Sequence, residues 1–71
     1  MRRDILSSNI RNARLAAGLT QEDLAHMAGM QTAVYSRIER GAVNPHLETV
    51  VRVAQALGIP IDDIVHGVDK L

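Results

Sequence analysis

Cysteine is missing from this 71-residue chain, so neither a disulfide nor a thiolate metal site can hold it together. Phenylalanine and tryptophan are missing too, and there is a single tyrosine. Proteins that grip RNA or single strands stack bases on aromatic platforms, and one ring cannot build such a platform. If the partner is a nucleic acid, duplex DNA is the better match. No apolar run approaches the ~20 residues of a membrane span. The segment from Met1 to Ser8 carries arginines but no apolar stretch of signal-peptide length. The expectation is a soluble, cytoplasmic protein with no membrane partner. Net charge is lacking as well, with 8 Lys+Arg against 8 Asp+Glu. A basic domain is the usual footprint of DNA binding, so this balance argues against it until the distribution is read. Arg2, Arg3, Arg11, Arg14, Arg37 and Arg40 lie in the first forty residues, whereas Asp62, Asp63 and Asp69 gather near the C-terminus. A partner feels the local field of one face, not the sum.

What the chain does have is punctuation. Each of its five glycines precedes an apolar residue: Gly18-Leu19, Gly29-Met30, Gly41-Ala42, Gly58-Ile59 and Gly67-Val68. Glycine followed by a residue that packs back on the last turn is a helix stop. Thr20 with Asp23 three places on has the spacing of a capping box. Pro60 suits the first turn of a helix, with Asp62 and Asp63 at its positive end. Asn44-Pro45 marks a loop, because the residue before proline is pushed out of helical geometry.

Apolar spacing fills the intervals. Leu6, Ile10, Ala13 and Ala17 form a stripe on a first helix, and Leu24, Ala25 and Ala28 the inner face of a second. Val34, Tyr35 and Ile38 face inward on a third. Leu47, Val50, Val51 or Val53, Ala54 and Leu57 do so on a fourth, and Ile61, Ile64 and Val65 open a short fifth. No alternating pattern argues for a strand. The reading is an all-α, five-helix single domain over residues 1–71, with its core in about 5–66.

The segment from Gln21 to Arg40 holds two short helices about a tight turn at Gly29-Met30-Gln31. That is the size of a helix-turn-helix, whose second helix enters the major groove. Leu24, Ala28, Met30, Tyr35 and Ile38 would fill the wedge between the helices, and Ala25 is small where they cross. The opposite face carries Thr32, Ala33, Ser36, Arg37 and Arg40. Its side chains are short at the start and basic at the end, as an approach to base edges and phosphates requires.

Five runs in register resemble the phage repressor/Cro-type (xenobiotic-response-element type) helix-turn-helix family. They are Ile10-Arg11-Asn12-Ala13-Arg14, Gly18 to Ala25, Ser36-Arg37-Ile38-Glu39-Arg40-Gly41, Asn44-Pro45, and Ala54-Gln55-Ala56-Leu57-Gly58. The resemblance implies a five-helix domain, usually dimeric, acting on palindromic operators as a transcriptional regulator. It assigns base contacts to Gln31, Thr32, Ala33 and Arg37. It assigns phosphate contacts to Gln21, Ser36, Arg40 and Asn44, and a buried salt bridge to Arg14 and Glu39. The chain departs from the family pattern where Gln31 replaces a Ser or Thr cap, where Ala33 replaces a polar residue, and where Tyr35 stands at a small aliphatic position beside Val34.

Other groups yield to plainer readings. His26, His46 and His66 lack metal-ligand spacing and read as surface residues, so no metal and no cofactor is expected. No nucleophile–base pair or phosphate-cradling loop appears, so the expectation is not an enzyme. Val51, Ile61, Val65, Val68 and Leu71 exceed what one small core absorbs, and are expected to join two copies. A rival reading is an antitoxin-like interaction module with DNA binding secondary. Its partner protein, a toxin or RNA polymerase, is not distinguished by the sequence.

Overall fold

Five helices and no strand make up residues 2–69, the part of the chain described by the computed structural model. They are α1 (Arg3–Ala16), α2 (Gln21–Met27), α3 (Thr32–Glu39), α4 (Leu47–Leu57) and α5 (Ile61–Val65). Helix α1 packs on α3 and α5, α2 on α3 and α4, and α4 on α5.

Local chemistry sets these boundaries. At the start of α2 the Asp23 amide donates to Thr20 Oγ1 and the Thr20 amide donates to Asp23 Oδ2, each at 3.0 Å. Two otherwise orphaned donors are satisfied reciprocally. The first four helices end alike. The amides of Leu19, Met30, Ala42 and Ile59 reach back to the carbonyls of Arg14, Ala25, Arg37 and Ala54, while the preceding glycine donates three residues back. This arrangement needs a left-handed residue at the glycine position, and all five glycines have positive φ. Pro60 stands one place earlier than its first-turn expectation, as the N-cap of α5.

The core gathers Leu6 and Ile10 from α1, Leu24 and Ala25 from α2, Tyr35 and Ile38 from α3, Val50, Val53 and Ala54 from α4, and Ile64 from α5. Full burial of a side chain the size of Leu or Ile contributes about 1.5–3 kcal/mol against exposure. Four apolar residues differ from the sequence reading. Ala17 is exposed, because α1 stops at Ala16 and the buried place one turn on from Ile10 goes to Arg14. Val34 is exposed, because at about 100° per residue it falls on the flank of the arc centred on Tyr35. Leu47 is 71% exposed, in the opening turn of α4 where no other element covers it. Val68 is buried in the chain's own core at 6% exposure, so it is not a surface residue offered to a second copy.

Polar ties join the two ends of the fold. Asn9 Nδ2 donates to the carbonyls of Ile64 at 2.7 Å and His66 at 3.0 Å, holding the end of α5 against α1. The Arg2 amide donates to the Val68 carbonyl at 2.7 Å.

Two glycines carry the same backbone strain in different surroundings. Gly29 has φ +71° and open space where a Cβ would stand, whereas at Gly41, with φ +72°, a Cβ would meet Ser7 Oγ at 3.4 Å. Gly29→Ala therefore loses only the left-handed penalty, about 1–2 kcal/mol, by urea denaturation. Gly41→Ala should lose a similar amount, because a Cβ there stands in ordinary van der Waals contact and α1 need not move. A much larger loss at Gly41 would show that the Ser7 side is crowded.

Candidate nucleic-acid interface

Helix α3 is held from one side and open on the other. Tyr35, Ile38 and Glu39 point inward and are buried. Ala33 and Arg37, four residues apart and so on one face, lie about half a turn from Tyr35 and are exposed. Gln31, Thr32 and Arg40 are exposed beside them, and Ser36 is half-buried on the flank. Asn44 is exposed in the loop before α4, and Gln21 is half-buried at the start of α2. The residues named for base and phosphate contacts thus lie along α3, at the start of α2 and in the loop that follows α3. Gln31, as N-cap of α3, makes no side-chain capping bond.

Behind this face sits a buried polar cluster. Arg14 Nε donates to Glu39 Oε2 at 2.9 Å and Arg14 Nη2 to Glu39 Oε1 at 2.7 Å, a bidentate pair with both side chains buried. Arg14 Nη1 donates to the Leu19 carbonyl at 2.7 Å, so the guanidinium also fixes the chain between α1 and α2. Gln21 Nε2 donates to Glu39 Oε1 at 3.1 Å. The Tyr35 hydroxyl donates to Glu39 Oε2 from one turn earlier on α3. One carboxylate therefore receives donors from α1, α2 and α3. Among the described residues no buried side-chain nitrogen or oxygen lacks a partner.

The protonation states follow from these contacts. Burial by itself would raise the Glu39 carboxyl, but hydrogen bonds from Arg14, Tyr35 and Gln21 outweigh it and hold Glu39 below its ordinary value. The Glu39 hydrogen bond raises the Arg14 guanidinium, which stays cationic. Burial, and then the facing Glu39 carboxylate, push the Tyr35 hydroxyl well above the phenol range, so it remains a donor.

Sequence reasoning missed two of these features. For Tyr35 the apolar pattern marks only the ring as core, and the signal for its hydroxyl is the i, i+4 spacing to Glu39. Asn9 gave no signal, because its partners are backbone carbonyls more than fifty residues away. The three histidines are exposed and apart from this site, and among the described residues no group of three or more His, Cys, Asp or Glu could hold a metal. No described helix is long and apolar enough to cross a membrane. Of the residues named for association, Val51, Ile61 and Val65 are half-buried, and Leu71 lies outside the described residues.

Comparison with known proteins gives a consistent result. The pattern defining the helix-turn-helix family matches residues 10–64. The chain is 38% identical over 61 residues to the cryptic phage CTXphi transcriptional repressor RstR of Vibrio cholerae, covering 86% of this chain and 55% of the repressor. It thus spans about half of that relative's length. It is 35% identical over 68 residues to y4dJ of Sinorhizobium fredii, an uncharacterized regulator of helix-turn-helix type, covering 96% and 88% of the two chains. Its fold matches the restriction-modification controller protein C.AhdI from Aeromonas hydrophila with a TM-score of 0.85 at 31% identity, covering 87% and 94%.

The Glu39 cluster has a pH signature. A carboxyl held below its unfolded value contributes stability above that value and loses it as the pH falls through the folded one. Tyr35→Phe removes a donor to a charged acceptor and should lose about 1.5–3 kcal/mol at neutral pH. The gap between wild type and variant should narrow as the pH falls below 4.5, the ordinary value of the carboxyl. Urea denaturation at stepped pH measures it, and a gap independent of pH would place the loss in packing instead.

Proposed function

This chain belongs to the helix-turn-helix family of the phage repressor/Cro type, and on that premise we propose that it is a sequence-specific regulator of transcription that binds duplex DNA. The observation that carries the proposal is the exposure of Ala33 and Arg37 on the open face of α3, opposite a buried arc tied to α1 and α2 through Glu39. A helix anchored from behind and bare in front suits insertion into the major groove.

In this reading Gln31, Thr32, Ala33 and Arg37 face base edges. Arg37 is matched to guanine, whose O6 and N7 accept a bidentate guanidinium. Ala33 offers only an apolar contact, which suits a thymine methyl. Gln21, Ser36, Arg40 and Asn44 engage phosphates and set register. Two copies join through half-buried aliphatic residues of α4 and α5, Val51, Ile61 and Val65. This sets two recognition helices about 34 Å apart, one turn of a palindromic operator. Regulation then follows from occupying a promoter. The names of the phage repressor and the restriction-modification controller support this reading.

A protein-interaction module is favoured by a different observation. Leu15, Met27 and Leu47 are each more than half exposed, and exposed apolar side chains mark association when they are contiguous. DNA binding separates the two readings. Fluorescence anisotropy on selected against unrelated duplexes should give a clear preference for the wild type. Arg37→Ala should relax that preference at one base pair by about 1–3 kcal/mol. A wild type with no preference for any duplex would refute the regulator reading.

The association surface has its own test. Val51 is half-buried, and it is not among the residues packed against the core. Val51→Asp should sediment as a monomer at concentrations where the wild type is a dimer, with its fold unchanged by circular dichroism. Identical sedimentation of the two proteins would remove α4 from the interface.

A further inference from the structure

An open cleft of about 470 Å³ lies beside the helix-turn-helix, and α1 forms one wall of it. Arg11 and Ser8 of α1 line it together with Arg14, Gln21, Glu39 and Arg40. The charges do not cancel. Arg14 is committed to Glu39 and to the Leu19 carbonyl. Both oxygens of Glu39 are occupied by Arg14, Tyr35 and Gln21. Among the described residues neither Arg11 nor Arg40 has a carboxylate within 4.0 Å, and both are exposed. Two guanidiniums without a carboxylate partner therefore border one concave surface together with the exposed Ser8 and with Gln21.

We infer that Arg11 and Ser8, with Gln21 and Arg40, clasp one phosphate of the DNA backbone. The inference rests on the proposed DNA binding and adds α1 to its contact surface, which sequence reasoning had confined to α2, α3 and the loop after α3. Donors from α1, α2 and the C-cap of α3 suit a phosphate oxygen set. The cleft is open to solvent rather than enclosed, so it admits a group carried on a polymer. It also shares Gln21 and Arg40 with the α3 side, which places a bound strand next to the groove that α3 enters. Arg14 acts here through Glu39: its positive charge, paired with the buried carboxylate at 2.7 Å, offsets the repulsion that carboxylate would exert on a phosphate.

The test compares wild type, Arg11→Gln, Arg11→Lys and Arg37→Ala by anisotropy on selected and unrelated duplexes between about 50 and 200 mM salt. Arg11→Gln should weaken both duplexes alike. Its slope of log K against log salt should be shallower by about 0.9, the loss of one phosphate contact. Arg11→Lys should keep the wild-type slope. The Arg11 side chain is exposed and makes no hydrogen bond among the described residues, so thermal unfolding of the variants should match the wild type. An unchanged slope for Arg11→Gln, with Arg37→Ala still losing discrimination, overturns the clasp and leaves the regulator reading intact. A wild type that binds no duplex overturns both. Titration with inorganic phosphate, followed by amide chemical shifts, separates the two sources of the anion. Shifts at Ser8, Arg11 and Gln21 with phosphate alone, beside an unchanged DNA slope, would assign the cleft to the free ion and overturn the clasp.

Discussion

The Glu39 carboxylate is the point on which the arrangement of the first three helices depends. It sits on α3 but receives donors from α1, α2 and its own helix. A buried ion pair gains little stability over apolar packing of the same volume. What it adds is direction. Dispersion contacts among aliphatic side chains tolerate small rotations of one helix against another. A bidentate guanidinium–carboxylate geometry tolerates far less. Helix α3 spans 8 residues and α2 spans 7, both too short to hold helical structure alone. Their mutual angle must be imposed by tertiary contacts, and this cluster supplies the directional ones.

The tyrosine gives the cluster a feature of its own. Tyr35 lies in the core on the inner side of α3 and is fully buried, yet its hydroxyl cannot be left unpaired there. Glu39, four residues on, accepts it. The ring thus meets a volume requirement and an electrostatic one together. Its hydroxyl adds a neutral donor to a carboxylate already matched in charge by Arg14, so the carboxylate is stabilised with no second cation in the core.

Much of the fold was legible because its signals are local. The glycine stops, the Thr20–Asp23 box and the apolar spacing of α2 each depend on residues within a turn or two. The misreadings fall where spacing places a residue on a side of a helix but fixes neither the neighbour that covers it nor the helix's last residue. Leu47 lies on the inward side of α4 and is bare for want of anything above it. Val68 looked like surplus aliphatic surface and is core, because the chain returns along α1. Ala17 fell outside α1 because the helix ends one residue sooner. Within the site, the open face of α3 could be read from the sequence, whereas the cleft could not. Arg11 and Arg40 are far apart along the chain, and only the packing of α1 on α3 brings them to one concave surface.

The Asn9 side chain has a consequence for how the fold closes. It secures the carbonyls of Ile64 and His66, and α5, with 5 residues, cannot be helical in isolation. Helix α1 is therefore fully bonded only once α5, more than fifty residues on, has docked against it. Until then Leu6 and Ile10 lack part of their cover. Among the described helices this is a contact of long sequence separation, and its loop-closure entropy must be met before the contact contributes.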